Sequence, residues 1–289
     1  MSSKKLHIES HPVIKNSTLI IGFSGWMDGG EVSTGAVNYL VDNFDAQECG
    51  SIEPEDFYIY SFPGDMEISE LFRPFVKIEN GIIKTYEPPE SKFFFVPENN
   101  LILFTGKEPN LSWIDYADCM FSFCKHFSVS RIYSIGSVAG LTPHTREPRI
   151  SFSTSDQNFR DFLQNTGLRP SNYDGPASFV TYLTSRAASE NIKMAGLIAE
   201  IPAYIEGYNP RCVETSVRLL ARLLDLKLDL EELQTISEQF EHKITELVQE
   251  QNELAEKIKE LERDYDREAF DREMGNLKNW LRQQGLRAD

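Results

Sequence analysis

The segment Thr18–Leu40, TLIIGFSGWMDGGEVSTGAVNYL, constrains the fold more than any other part of the chain. Thr18 to Phe23 is a short apolar run of strand composition. Gly22, Gly25, Gly29 and Gly30 follow closely, and an amphipathic helical pattern begins near Glu31. A buried strand, a glycine-rich turn and a helix N-terminus in that order form the mouth of an α/β sheet, where ligands commonly bind. The turn carries neither GxGxxG nor GK[ST], and no lysine occurs between Lys15 and Lys77, so phosphate binding by a P-loop is not expected. Its glycines are expected to serve geometry first, with Asp28 capping the helix.

The same alternation continues downstream. Asp56 to Phe62, Phe93 to Val96, Leu101 to Thr105, Arg131 to Ile135, Ile150 to Ser153 and Met194 to Ile201 read as strands. Helical patterns follow from about Ser112 to Phe127, from Ser155 or Asp156 to Gln164, from Ala177 to Asn191 and from Arg211 to Leu224. MAGLIAEI, broken only by Glu200, is typical of a central parallel strand covered on both faces. This order predicts a three-layer αβα fold with a mostly parallel sheet. Val76 to Tyr86 (VKIENGIIKTY) interrupts it. Two β-rich runs flank Asn80-Gly81, a type I′ hairpin signature. Such an insertion either projects for self-association or packs as a solvated hairpin on its own domain.

From Leu226 the pattern becomes heptad-like, with Leu226, Leu230, Leu233, Phe240, Ile244, Leu247, Leu254, Ile258, Leu261 and Tyr265 in steps of four and three. Ser237 and Gln251 occupy two of the apolar positions, and a second piece, Phe270 to Leu286, shifts phase. The chain therefore divides into a core over 1–225 and a helical segment over 226–289. That segment forms a lid, a helical hairpin or a coiled coil.

The formal charge is −16, and residues 229–266 hold thirteen Asp or Glu against four Lys or Arg, a net of −9. So acidic a balance argues against nucleic acid or an anionic membrane as partner. The apolar runs are too short to span a bilayer and the first residues lack a signal-peptide pattern, so a cytoplasmic protein is expected. The four cysteines form no CxxC, and the five histidines form no HxH or HxxxH, so neither a metal site nor a cofactor is expected. No GxSxG elbow supplies a hydrolase nucleophile.

In a parallel sheet the loops after the strands converge at the carboxyl edge. Those loops bring forward Gly25, Trp26, Asp28, Glu108, Asn110, Ser137, His144, Arg146, Glu200 and Glu206 as the candidate pocket rim. His144 with Arg146 suits binding of a carboxylate or phosphate, or acid–base chemistry. Glu200, at the end of an apolar strand, is expected to be desolvated with a raised pKa, unless neighbouring helix N-termini hold it.

Taken in order, GFSGWMDGGEVSTGAVNYL, GKEPNLSW (Gly106–Trp113), TPHTREP (Thr142–Pro148), Ser155-Asp156, Tyr173-Asp174-Gly175-Pro176 and Pro202-Ala203-Tyr204 followed by Pro210 resemble the proteasome assembly chaperone 2 family. The resemblance covers roughly Val13 to Asp264 and fits the bacterial branch best. It implies a core like that of purine nucleoside phosphorylases, a hairpin insertion linked to oligomerisation, and a C-terminal helical lid over a pocket. It supplies no catalytic residues, and the acidic pair Glu200 and Glu206 departs from many relatives. The function it implies is an oligomeric binding or assembly protein, with a homotrimer expected and a small-molecule ligand at the strand edge. The alternative is a hydrolase- or phosphorylase-like enzyme under a helical lid. The ending QGLRAD (Gln284–Asp289) lacks the hydrophobic-Tyr-x form, which argues against proteasome docking by that route.

Overall fold

The computed structural model describes residues 5–9, 15–70 and 72–283. The Gln284–Asp289 ending lies outside them. A nine-stranded sheet runs in the order β1-β3-β6-β7-β2-β8-β11-β9-β10. Its strands are β1 (Leu6–Ile8), β2 (Ser17–Ser24), β3 (Gln47–Ile52), β6 (Ser91–Val96), β7 (Leu101–Lys107), β8 (Val129–Gly140), β9 (Ile150–Thr154), β10 (Arg169–Pro170) and β11 (Lys193–Pro202). The central four, β7, β2, β8 and β11, are mutually parallel. Antiparallel strands flank them, with β6 and then β3 on one side and β9 on the other. The sheet is thus mostly parallel but mixed, an α/β fold.

The period-two alternation of β2 explains the layers. Leu19, Ile21 and Phe23 enter one core with Tyr116 and Phe123 of α3 (Trp113–His126) and Phe179 and Leu183 of α5 (Phe179–Ala187). Ile20 enters the opposite core, with Val37 and Leu40 of α1 (Val32–Asn43), Phe159 of α4 (Gln157–Asn165) and Val213 and Val217 of α6 (Pro210–Leu224). Two helical layers therefore sandwich the sheet. Cys49, Cys119, Cys124 and Cys212 are free and buried, and burial pushes the thiols of Cys49, Cys124 and Cys212 up to about 12. Such thiols are inert.

A short helix, α2 (Met66–Glu70), leads to the hairpin of β4 (Phe75–Glu79) and β5 (Ile82–Glu87), which forms its own two-stranded sheet. Asn80 and Gly81 both have positive φ, +52° and +76°, as a type I′ turn requires. After α6 come α7 (Glu231–Gln249) and α8 (Asn252–Gln283). Gln251, a polar residue in an apolar slot of the heptad pattern, falls at the break between them. Just before it the buried stripe drifts from the 3.5-residue period. Leu247 is 49% exposed and Val248 takes the inward place at 7%.

One local expectation fails. Asp56 to Phe62 is not a strand, because Asp56 turns left-handed at φ +69° and the Phe57 carbonyl accepts from the amides of Asn110 and Leu111 rather than from a ladder. The strand position belongs to β3, whose sequence QECGSI has no period-two pattern. Ser112 precedes α3 with a left-handed backbone and no side-chain cap.

Candidate functional site

At the carboxyl edge several of the candidate residues tie one strand end to the next element. Gly25 sits at φ +129°, and a Cβ there would lie 3.2 Å from Cβ of Glu108. That close approach lets the Glu108 carboxylate accept from the Trp26 amide at 3.1 Å and from the Phe179 amide at the start of α5 at 2.6 Å. The helix-terminus role weighed for Glu200 thus belongs to Glu108. Trp26 itself is 68% exposed. Asp28 caps α1, its two oxygens accepting from the amides of Ser33 (2.7 Å) and Thr34 (3.1 Å) and from the Thr34 hydroxyl (2.7 Å). Burial pushes this carboxyl up from its ordinary value, against the lowering pull of those bonds. The Ser137 hydroxyl donates to the Gly29 carbonyl at 2.5 Å, and its amide to the Met27 carbonyl at 2.8 Å. Asn110 is exposed, and its Oδ1 accepts from the Ile59 amide at 3.2 Å.

His144, Arg146 and Glu200 lie on the far side of the edge, beneath α7 and α8. The His144 amide donates to Tyr204 Oη at 2.8 Å, and Nδ1 is 2.7 Å from the same oxygen. The Thr245 hydroxyl gives its proton to the Glu241 carbonyl, so it accepts at 3.1 Å from His144 Nε2. This order assigns the neutral Nε2–H tautomer, with the Tyr204 hydroxyl donating to Nδ1. Burial holds the imidazole below its ordinary pKa; Glu262 pulls it up and Arg211 down. Arg146 makes a two-pronged pair with Asp266 of α8 at 2.8 and 2.9 Å. Glu200 accepts from the Thr142 hydroxyl at 2.9 Å and lies 3.9 Å from the Arg149 guanidinium, with its side chain 33% exposed. It is therefore a paired, partly hydrated carboxylate. Glu206 is exposed on the loop before α6. The space between His144 and Glu200 is about 10 Å3, room for about one water.

The helices are held over this edge by charge. Arg211 pairs with Glu241, Thr145 bonds Glu262, Arg149 meets Glu268 at 2.9 Å, and the Tyr265 hydroxyl donates to the Glu147 carbonyl at 2.9 Å. The α7–α8 segment thus docks on the 142–149 loop of its own chain.

Open space at the strand ends lies elsewhere. After β2 the chain turns to α1 on one face of the sheet, and after β7 to α3 on the other. This is the geometry of a topological switch point. A cleft of about 320 Å3 opens there, floored by Ser24, Thr34, Gly106 and Lys107 and walled by Arg73 and Phe75 at the base of the hairpin. Burial lowers the Lys107 ammonium from its ordinary pKa. Gly25 and Glu108 adjoin this cleft in sequence. Sequence reasoning missed Ser24, Thr34, Lys107 and Arg73. Ser24 and Lys107 could have been found from the rule that the last residue of each parallel strand faces the mouth; Thr34, in the first turn of α1, and Arg73, at the base of the insertion, carry no such signal. Among the described residues no group of three or more His, Cys, Asp or Glu could hold a metal, and no helix is long and apolar enough to cross a membrane.

The hairpin presents an unusual surface. Phe75, Val76, Ile78, Ile82, Ile83 and Tyr86 are each 44–64% exposed. An isolated two-stranded hairpin is marginal in water, and one so apolar exposes surface that ordinarily marks an interaction site.

A mixed α/β sandwich with a switch-point cleft, an exposed apolar hairpin and a helical segment docked over the strand ends defines an α/β scaffold carrying two additions. The chain belongs to the PAC2 family, whose profile matches residues 22–248. It is similar in fold to a Mycobacterium tuberculosis protein of unknown function (21% identity, TM-score 0.81, 94% of this chain and 92% of that one). It is similar also to the Mycobacterium tuberculosis proteasome-assembly chaperone homologue (24%, TM-score 0.73, 83% of this chain and 99% of that one). Pyrococcus furiosus PbaB, an archaeal proteasome activator, matches at 16% identity with TM-score 0.61, over 86% of this chain and 99% of that one. No curated protein matches the chain.

Proposed function

We propose that this PAC2-family protein is an oligomeric binding or assembly protein of the cytoplasm, working as a homotrimer through the β4–β5 hairpin. The observation that carries the reading is the hairpin itself, whose apolar side chains stand exposed on both strands. The description of relatives as a proteasome-assembly chaperone homologue and a proteasome activator supports an assembly role. In this reading a small-molecule ligand enters the switch-point cleft beside Gly25 and Glu108, and the domain boundary falls near residue 225, with α7 and α8 a separate helical segment on the 142–149 loop. A hydrolase- or phosphorylase-like enzyme is less well supported, because Asp28, Glu108 and His144 are committed to internal bonds and the space beside His144 is nearly filled.

Sedimentation velocity tests the reading. The wild-type chain is expected to sediment as a concentration-stable oligomer, and the double variant Ile78→Asp/Ile83→Asp as a monomer with an unchanged melting temperature. A wild-type monomer at micromolar concentration, or a variant that assembles as wild type does, overturns it.

A further inference from the structure

An arginine-lined cleft lies in one of the least expected places for a chain of formal charge −16. About 520 Å3 in volume, it opens between α6, α8 and the segments 147–150 and 167–169. Five of its lining side chains are guanidinium groups, from Arg149, Arg169, Arg218, Arg222 and Arg272, against one carboxylate, Glu147. Two are neutralised within the fold. Arg218 pairs with Glu147 and with Glu214, and Arg149 pairs with Glu268 at 2.9 Å and reaches Glu200 at 3.9 Å. The side chains of Arg169, Arg222 and Arg272 form no ion pair or hydrogen bond with another described residue. In addition, Nε of Arg149 is buried with no acceptor. Like charges gathered at one cavity raise each other's energy, and a buried N–H without an acceptor costs more. An anion in the cleft relieves the first of these costs.

We infer that this cleft binds a small polyanion bearing phosphate or carboxylate groups. The guanidinium fork matches either group with two parallel hydrogen bonds. Ile150, Leu168 and Leu219 give the cleft an apolar floor, and its volume suits a metabolite rather than a macromolecule. Its walls come from both α6 and α8, so a bound anion bridges the core and the docked helix and holds α8 in place. The site is separate from the hairpin and from the switch-point cleft.

Isothermal titration at low salt with tripolyphosphate, citrate and inorganic phosphate tests this. The wild type is expected to bind tripolyphosphate or citrate, and whichever binds more tightly identifies the group recognised. Arg169→Ala/Arg222→Ala/Arg272→Ala is expected to weaken binding at least tenfold, while Lys193→Ala, an exposed lysine elsewhere, leaves it unchanged. Hydrogen exchange of residues 262–272 is expected to slow on binding in the wild type alone. Should the triple variant fail to fold, Arg222→Gln on the exposed face of α6 replaces it. Ile78→Asp/Ile83→Asp is expected to keep anion binding, which separates this site from the hairpin. No binding of any of the three anions, equal affinity in the arginine variants, or a change in sedimentation of the triple variant without anion binding overturns the inference.

Discussion

Removing the Glu108 carboxylate tests whether that side chain holds the edge together. In Glu108→Ala two charge-assisted bonds disappear, but they are not equivalent. The Trp26 amide belongs to a 68%-exposed residue, so water replaces its acceptor at little cost. The Phe179 amide belongs to a residue with 0% exposure and begins α5, where Ser178 already serves the Thr181 amide. Leaving that buried donor unpaired costs about 1–3 kcal/mol. Losing a negative charge at the N-terminus of α5 adds about 0.3–1 kcal/mol. The expected loss is about 1.3–4 kcal/mol, a fall in melting temperature of roughly 3–12 °C for a chain of this size. Glu108→Gln keeps one acceptor and is expected to lose about half as much. Urea unfolding at unchanged m-value measures both. If Glu108→Ala lies within about 0.5 kcal/mol of wild type, within the scatter of ordinary surface substitutions, the clamp is not what holds α5.

His144 makes stability depend on pH. Its folded pKa lies below the ordinary value because burial disfavours the charged ring, so below about pH 6.5 the unfolded chain takes up this proton first. The contribution is complete above that pH and is lost as pH falls towards the folded value. His144→Gln is expected to flatten the difference between urea midpoints at pH 7.5 and 5.5, and an unchanged difference refutes the assignment. Gly22→Ala is expected to destabilise by at least about 1–3 kcal/mol, the usual cost of overpacking. The new Cβ would lie 2.6 Å from the Ser33 carbonyl oxygen and 2.8 Å from Val37 Cγ2. Near-wild-type urea stability would mean that α1 can move off β2.

The layers were legible because β2 and β11 carry dense apolar patterns that leave few alternatives. The hairpin was legible because Asn80-Gly81 tolerates two successive positive φ angles. By contrast β3 was hidden, since its place comes from pairing with β1 and β6 rather than from its own composition. The candidate residues were found by the strand-end rule, but their roles were not, because a carboxylate near a strand end reads alike whether it meets a ligand or an amide. Glu108 and Glu200 show this: only three-dimensional neighbours place Phe179 against one and Arg149 against the other. The arginine cleft left no local mark, because Arg149, Arg169, the Arg218–Arg222 pair of α6 and Arg272 come from four separate stretches of chain.

The ionic docking of α7 and α8 has a further consequence for recognition. With Glu241, Glu262, Asp266 and Glu268 seated on Arg211, Thr145, Arg146 and Arg149, the chain carries its own acidic competitor. A tethered competitor acts at an effective concentration on the order of millimolar. An acidic partner approaching this face in trans must exceed that threshold or first free the helices. Salt weakens exposed contacts of this kind on both sides of the competition, because screening does not distinguish tethered charges from free ones. The balance between self-occupancy and capture is then set by the tether more than by ionic strength.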